Sequence, residues 1–200
     1  MAANIAPEDR TFDGDRRARG ALLQQHDAMV RSPILRTARD CDAEAIAAAE
    51  AETQRTPGLL VGHPGEILLE AYRAKIAKLE SQGRYIVAEQ DGAIIGHAFL
   101  DPMPMRANAH VHLLTIVVHP GHLGRGVGEA MLRDLLDWAG RDPRVGKVEL
   151  NVRVGNERAR RLYRRCGFVE EARFKRRVRR ADGVYEDDIG MAWFPARNAE

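Results

Sequence analysis

The chain has 200 residues, of which 44% are apolar and 30% charged, and a formal net charge of +2. These values exclude disordered and fibrous classes and favour one folded domain with room for an accessory terminus. The longest apolar stretches, such as Leu113 to Val118, fall far short of the roughly 18 residues a membrane span needs. The charged opening MAANIAPEDRTFDGDRRARG lacks the apolar centre of a secretory signal. Two cysteines, Cys41 and Cys166, are too few for a disulfide framework and lack metal-ligand spacing. A cytoplasmic protein without membrane or metal partners is expected, with both cysteines as small buried thiols.

Residues 1–31 show weak periodicity and many charges, and are expected to form a mobile or loosely docked arm ahead of a single domain over 32–196. PILRTA reads as a short strand, after which Asp40 caps an alanine-rich helix whose first turn holds Asp42 and Glu44. That helix is expected to stop near Thr56-Pro57-Gly58. A GHPG turn leads to a second helix, in which Leu69, Tyr72, Ile76 and Leu79 recur at helical spacing until Ser81-Gln82-Gly83. The strands RYIVAEQ and AIIGHAFL flank Asp91-Gly92, a strong hairpin signal. A proline-broken loop precedes the strand HVHLLTIVV, a glycine turn, and a helix marked by Val127, Met131, Leu135 and Trp138. The strand KVELNVRV, the short helix NERARRLYRRC ended by Gly167, and a hairpin turning at Asp182-Gly183 complete the order βααβββαβαββ.

The glycine turn, HLGRGVG, carries the most chemistry. Gly124, Gly126 and Gly128 can adopt angles closed to other residues and leave room for a ligand to approach the main chain. Free N–H groups at the start of the next helix, with its dipole, then suit an anion such as a diphosphate. A Walker loop is excluded because Val127-Gly128-Glu129 lacks Lys and Ser/Thr. A dinucleotide fingerprint is excluded by the glycine spacing.

A second constellation follows: Asn156, Ala159, Leu162, Tyr163, Gly167 and Phe168 stand in the order N-x-x-A-x-x-L-Y-x-x-x-G-F. With the glycine turn and the order of elements, these residues closely resemble the GNAT superfamily of N-acetyltransferases over roughly residues 33–194. One departure is Leu123, where the family often carries Gln or Arg; main-chain donors do most of the phosphate binding, so the loss is expected to be tolerated.

The resemblance implies an α/β (α+β) fold, with a mixed, mostly antiparallel central sheet flanked by helices and splayed central strands forming the acyl-CoA cleft. It implies an enzyme that uses acetyl-CoA as cosubstrate, without a metal. Backbone groups of Ile116, Val117 and Val118 would pair with the pantetheine arm like an added strand. Amides of Leu123, Gly124, Arg125, Gly126, Val127 and Gly128 would hold the pyrophosphate. Asn156 would contact the cofactor arm or a bound water. Tyr163 would lie near the sulfur and protonate the departing thiolate, the alternative being a core tyrosine on an apolar helix face.

Direct transfer needs a neutral amine, so a base or a water chain must remove a proton. His112 stands where several family members carry a catalytic glutamate, and imidazole has a suitable pKa of about 6.5. His110, two residues earlier, shares its strand face; His97 and Glu89 are lesser candidates. The alternative for both strand histidines is an ordinary structural place.

Positions 158 to 180 hold eleven arginines and lysines. Along FVEEARFKRRVRR, however, Phe168, Phe174 and Val178 share one face and leave Arg173, Lys175, Arg177 and Arg179 as a solvated one. No aromatic platform interleaves them, so no nucleic-acid partner is expected. Arg158, Arg160, Arg161, Arg164 and Arg165 similarly occupy the outside of a short helix, where some attract the 3′-phosphate of CoA. Arg176 shares the apolar face: either it grips a substrate carboxylate or a bulge turns it outward. Asp187 either orients an acceptor amine or pairs across the hairpin with the arginines. The expected acceptor is a small primary amine, such as an amino acid or an analogue. The alternatives are a protein N-terminus or lysine, and a non-catalytic acyl-CoA sensor. A homodimer is implied by the resemblance only.

Overall fold

Tight turns set the course of the chain. The computed structural model describes residues 32–55, 66–180 and 182–196. The expected N-terminal arm, the helix stop at Thr56-Pro57-Gly58 and the GHPG turn lie outside them. The described elements follow the expected order: β1 (Ile34–Thr37), α1 (Ala43–Gln54), α2 (Leu69–Gln82), β2 (Arg84–Gln90), β3 (Ala93–Pro102), β4 (Val111–Val118), α3 (Val127–Arg141), β5 (Lys147–Arg153), α4 (Glu157–Arg165), β6 (Val169–Arg179) and β7 (Tyr185–Trp193). Between β2 and β3, Asp91 and Gly92 have φ of 50° and 78°, the left-handed pair a tight hairpin turn requires. Among the described residues, no helix is long and apolar enough to cross a membrane.

The strands form one seven-stranded sheet in the order β1-β2-β3-β4-β5-β7-β6. Only β4 and β5 are parallel, and they pair only over Val111–Leu113 against Lys147–Glu149. Beyond that point β4 continues to Val118 and β5 to Arg153 without pairing with each other. The splay expected of the central strands is therefore present. One face of the sheet packs under α3, where Met131, Leu132 and Leu135 are fully buried against Ala98, Leu100, Val148 and Leu150. The other face, over β2 and β3, is covered by Ile46 of α1 and by Tyr72, Ile76 and Leu79 of α2. The cysteine expectation needs correcting: Cys41 is exposed and Cys166 half-buried, because Cys41 sits in the solvent-facing turn ahead of α1.

Asp42, not Asp40, organises the entry to α1. Asp40–Asp42 form a single tight helical turn, and the Asp42 carboxylate accepts the Arg39 N–H at 2.7 Å and two bonds from the Arg36 guanidinium at 2.7 and 2.9 Å. Arg36 also reaches Glu89 at 2.8 Å, so one charged cluster joins β1, β2 and the start of α1. The Arg36 hydrogen bonds, with the Arg39 N–H, hold the Asp42 carboxyl below its ordinary range. A carboxyl lowered in the folded state stabilises it above the unfolded value, about 3.9. That contribution is lost as the pH falls through the folded value. Asp42→Asn should therefore lower stability at pH 7 by on the order of 2 kcal/mol in urea unfolding, since it leaves a half-buried guanidinium short of its partner. The deficit relative to the unmodified chain should shrink toward pH 3; an equal deficit at both pH values would show that the cluster does not work through ionised Asp42.

Candidate active site

After β4 the chain must reverse into α3, and the reversal is made of main chain. The His119 N–H donates to the Ile95 carbonyl at 2.9 Å, which fixes the end of β4 against β3. Gly124 and Gly126 then take φ of 89° and 81°, and Gly126 is the left-handed residue from which α3 starts. Among the described residues, no side chain caps this helix end. The first intrahelical bond runs from the Ala130 N–H to the Gly126 carbonyl at 3.0 Å. The amides of Val127, Gly128 and Glu129 are thus free of intrahelical partners, the arrangement that favours an anion. A Cβ built on Gly124 would lie 3.3 Å from Arg158 Nη2, so the guanidinium of α4 stands over the turn and adds positive charge.

A cavity of about 690 Å³ opens at this turn, within the usual size of ligand sites. It is lined on the β4 side by Ile116, Val117, Val118, Leu123, Gly124, Gly126, Val127 and Gly128, and on the α4 side by Asn156 and Tyr163. The structure therefore brings together ten of the residues singled out from the sequence. Arg125 is the exception in the turn: it is exposed and does not line the cavity. Asn156 has a structural task as well, since its side-chain oxygen caps α4 by accepting the Ala159 N–H at 3.1 Å. Tyr163 is buried with its ring 5.6 Å from that of Phe168, and burial pushes its phenol up to about 12. At neutral pH it carries its proton and can donate it. Glu129 also lines the mouth, but bonds to Arg133 at 2.7 Å and approaches Arg165 at 3.4 Å, so its charge is countered.

Other expected site residues lie elsewhere. His112 is 1% exposed, lies 6.1 Å from Trp138 of α3 and does not line the cavity. Burial pushes its imidazole below the usual value. Its strand alternation turns it under α3, outside the lining of the cavity. His110 precedes the strand and is exposed, and its carbonyl ties Gly146 and Lys147 at 2.8 and 3.2 Å. Arg176 has φ of 54° in a register break between Phe174 and Val178, and its guanidinium lies 4.1 Å from the Tyr185 ring centre. The bulge thus turns it onto a neighbouring ring. Asp187 accepts the Arg176 N–H at 2.7 Å and pairs with Arg173 at 2.8 Å, contacts that hold its carboxyl below the usual range. Asp187 thus makes the cross-strand pair with the arginines. Glu89 is engaged by Arg36. The same bulge leaves Phe174 exposed, so the apolar face expected of β6 is incomplete. His122, the first residue of the turn, lines the cavity too, whereas Thr53 at the end of α1 is a lining residue the sequence reading missed. Thr53 carries no local signal, because only the fold brings α1 beside Val117.

Gly126→Ala tests the cradle. A methyl there meets nothing within 4 Å, so its cost comes from the positive φ, about 1 kcal/mol, and from its projection into the mouth. Titration calorimetry should show acetyl-CoA binding weakened at least about tenfold. Gly140→Ala, also with nothing within 4 Å and near the far end of α3, should leave it unchanged. Equal binding by both variants would remove the turn from the site.

The pattern of the family described as acetyltransferase (GNAT) matches residues 43–168. The chain is 29% identical over 160 residues to the L-amino acid N-acetyltransferase AaaT of Escherichia coli, covering 80% of this chain and 96% of that protein. It is 36% identical over 100 residues to the N-alpha-acetyltransferase RimI of Mycobacterium tuberculosis, covering 50% of this chain and 60% of that one. The solved structure of yncA from Salmonella typhimurium, described with its cofactor acetyl-CoA, superposes with a TM-score of 0.76 at 20% identity, covering 85% of this chain and 98% of that one. That likeness shows a shared fold. With the family pattern spanning more than half of the sequence, and with the splayed sheet and glycine turn in place, the chain belongs to the acetyltransferase (GNAT) family.

Proposed function

We propose that the protein transfers an acetyl group directly from acetyl-CoA to the primary amine of a small molecule of the amino-acid class. The observation that carries this reading is one cavity that joins the glycine turn to Tyr163 and extends to Thr53 and to Val117, on the stretch of β4 that no longer pairs with β5. The residues present fit acetyl-CoA: free amides and Arg158 suit its diphosphate, and the edge of β4 beyond Leu113 suits an extended amide-bearing arm. When bound, acetyl-CoA supplies the acyl group in activated thioester form. Ile116, Val117 and Val118 hold the arm in line with the gap. Tyr163, kept protonated by burial, donates its hydroxyl proton to the departing sulfur as the carbon–sulfur bond breaks. Thr53 and Val117 bound the cavity where the amine arrives.

A small acceptor is supported by the extent of the similarity to the L-amino acid acetyltransferase, which runs through 80% of the chain, against 50% for the N-alpha-acetyltransferase. The similarity to RimI favours a peptide N-terminus as the second reading.

Thiol release from acetyl-CoA, measured against amino acids, polyamines and short peptides, separates the two. Release with free amino acids supports the first; release confined to peptides overturns it in favour of the second. Acetyl-CoA binding without acceptor-dependent release rejects both. In the active pairing, Tyr163→Phe should lower kcat by about a hundredfold or more and leave acetyl-CoA affinity nearly unchanged. An unaltered kcat would reject the proton-donor role.

A further inference from the structure

Behind the cavity wall, the sheet face covered by α1 and α2 holds a buried chain of ionisable side chains that the chemistry above does not use. His97 on β3 is fully buried. Its Nδ1 lies 3.1 Å from His119 Nε2, and its Nε2 lies 3.2 Å from Glu50 Oε2 on α1. At the far end, His119 Nδ1 is 2.9 Å from the Ile94 carbonyl oxygen. A carbonyl only accepts, so His119 Nδ1 carries hydrogen. Burial, helped by His97, pushes His119 down to about 4, so near neutral pH its Nε2 presents a lone pair. His97 Nδ1 must then be the donor between the rings. His97 Nε2 is left facing a carboxylate oxygen, two acceptors 3.2 Å apart until one proton stands between them.

The place of this contact matters as much as its polarity. Thr53 lies one helical turn beyond Glu50 on α1, and Val117 is the β4 partner of His97 across the strands. Both line the cavity. Neither Glu50 nor His97 lines the cavity itself; the Glu50 side chain keeps 12% of its surface exposed while His97 keeps none, so Glu50 is the end that water reaches. The groups facing the pair are Tyr72 of α2, whose hydroxyl hydrogen-bonds Glu50, and Tyr85 of β2, whose phenol is kept protonated by burial and by the Glu50 charge. Beyond them, His122 faces His119, and Asp42 is tied to Arg36.

We propose that Glu50 and His97 together accept the proton of the acceptor amine. This rests on the acetyl-transfer reading. Glu50 receives the proton directly or through one water, and His97 shares it across the Nε2–Oε2 contact. One N–H bond of the substrate ammonium breaks, and its electron pair stays on nitrogen, which becomes the neutral nucleophile. The proton replaces the opposed acceptors by a hydrogen bond and leaves to solvent from Glu50 after transfer. His119 is a positioning residue: it fixes which nitrogen of His97 faces the carboxylate.

Glu50→Gln separates this role from a packing role. The carboxamide has the same shape and donates N–H to His97 Nε2, so the contact is satisfied without a titrating group. The variant should fold with an unchanged or higher Tm and bind acetyl-CoA within about twofold of the unmodified enzyme. Its kcat/KM for the amine should fall about a hundredfold, and the acidic limb of the pH profile should vanish. A Glu50→Gln enzyme that keeps the limb and most of its kcat/KM overturns the proposal. An unmodified enzyme that releases no thiol with any amine fails the acetyl-transfer reading itself, and the proton acceptor with it. Ring resonances of His97, followed by NMR in the acetyl-CoA-bound enzyme, give a readout apart from turnover and from the folding of the variant. Hydrogen on Nδ1 and none on Nε2 of the neutral ring is expected, and the opposite tautomer overturns the proposal.

Discussion

The separation of β4 from β5 is the constraint on which the rest of the molecule depends. Two parallel strands that pair for three positions and then part leave main-chain donors and acceptors facing one another across a gap, which is costly unless something satisfies them. Their outer neighbours hold them there. β3 pairs with β4 from Pro102 to Gly96, and β7 pairs with β5 from Trp193 to Asp188, so each strand is committed along its other edge. The gap cannot close by a slip of register, because a slip by one residue would turn each buried row to the wrong face. An extended, amide-bearing molecule is the ligand that such a gap fits.

The two strand-to-helix junctions open at the same end of this gap. β4 passes through the glycine turn into α3, and β5 passes through Asn156 into α4, so two helix starts meet at the carboxyl ends of the parallel pair. Their caps differ for a reason. Asn156 satisfies the start of α4 with its own side chain, whereas the start of α3 has no side-chain cap and keeps its amides for a ligand. Arginines of α4 follow the same division. Arg160 and Arg164 bond to Glu170 at 3.1 and 2.5 Å and brace the helix against β6, while Arg158 faces the turn. The basic cluster that stands out in the sequence is therefore partly neutralised within the surface, while Arg158, Arg161 and Arg165 line the mouth.

Much of this was legible in the residues. The hairpin at Asp91-Gly92, the glycine turn and the N-x-x-A-x-x-L-Y order are local signals, since turn geometry and helix faces are set within a few positions. They single out the turn and Tyr163, both of which line the cavity. Properties set at long range were not legible. His112 and His97 are the same residue type on adjacent strands, yet the pleat turns one under α3 and the other toward α1. Which side chains close the cavity from that face depends on which helix covers it, and α1 contributes Thr53 from a segment that reads only as an alanine-rich helix. The bulge at Arg176 was likewise open in the sequence, because alternation alone places that side chain on the apolar face and only the broken register turns it away.

Leu123 brings these strands of argument to one point. It stands where the family often offers a side-chain donor, and here it lines the mouth while 48% exposed, with no hydrogen to give. What the mouth offers an anion instead is amides fixed by Gly124 and Gly126, the Arg158 guanidinium above them, and Arg161 and Arg165 in the lining. Fixed amides lose little freedom on binding, whereas a flexible donor must be ordered, so the absent side chain costs less than a hydrogen-bond count implies. The turn is thus specific through geometry more than through charge. For the same reason its glycines, which have no polar side chain at all, matter more to the site than Arg125 between them.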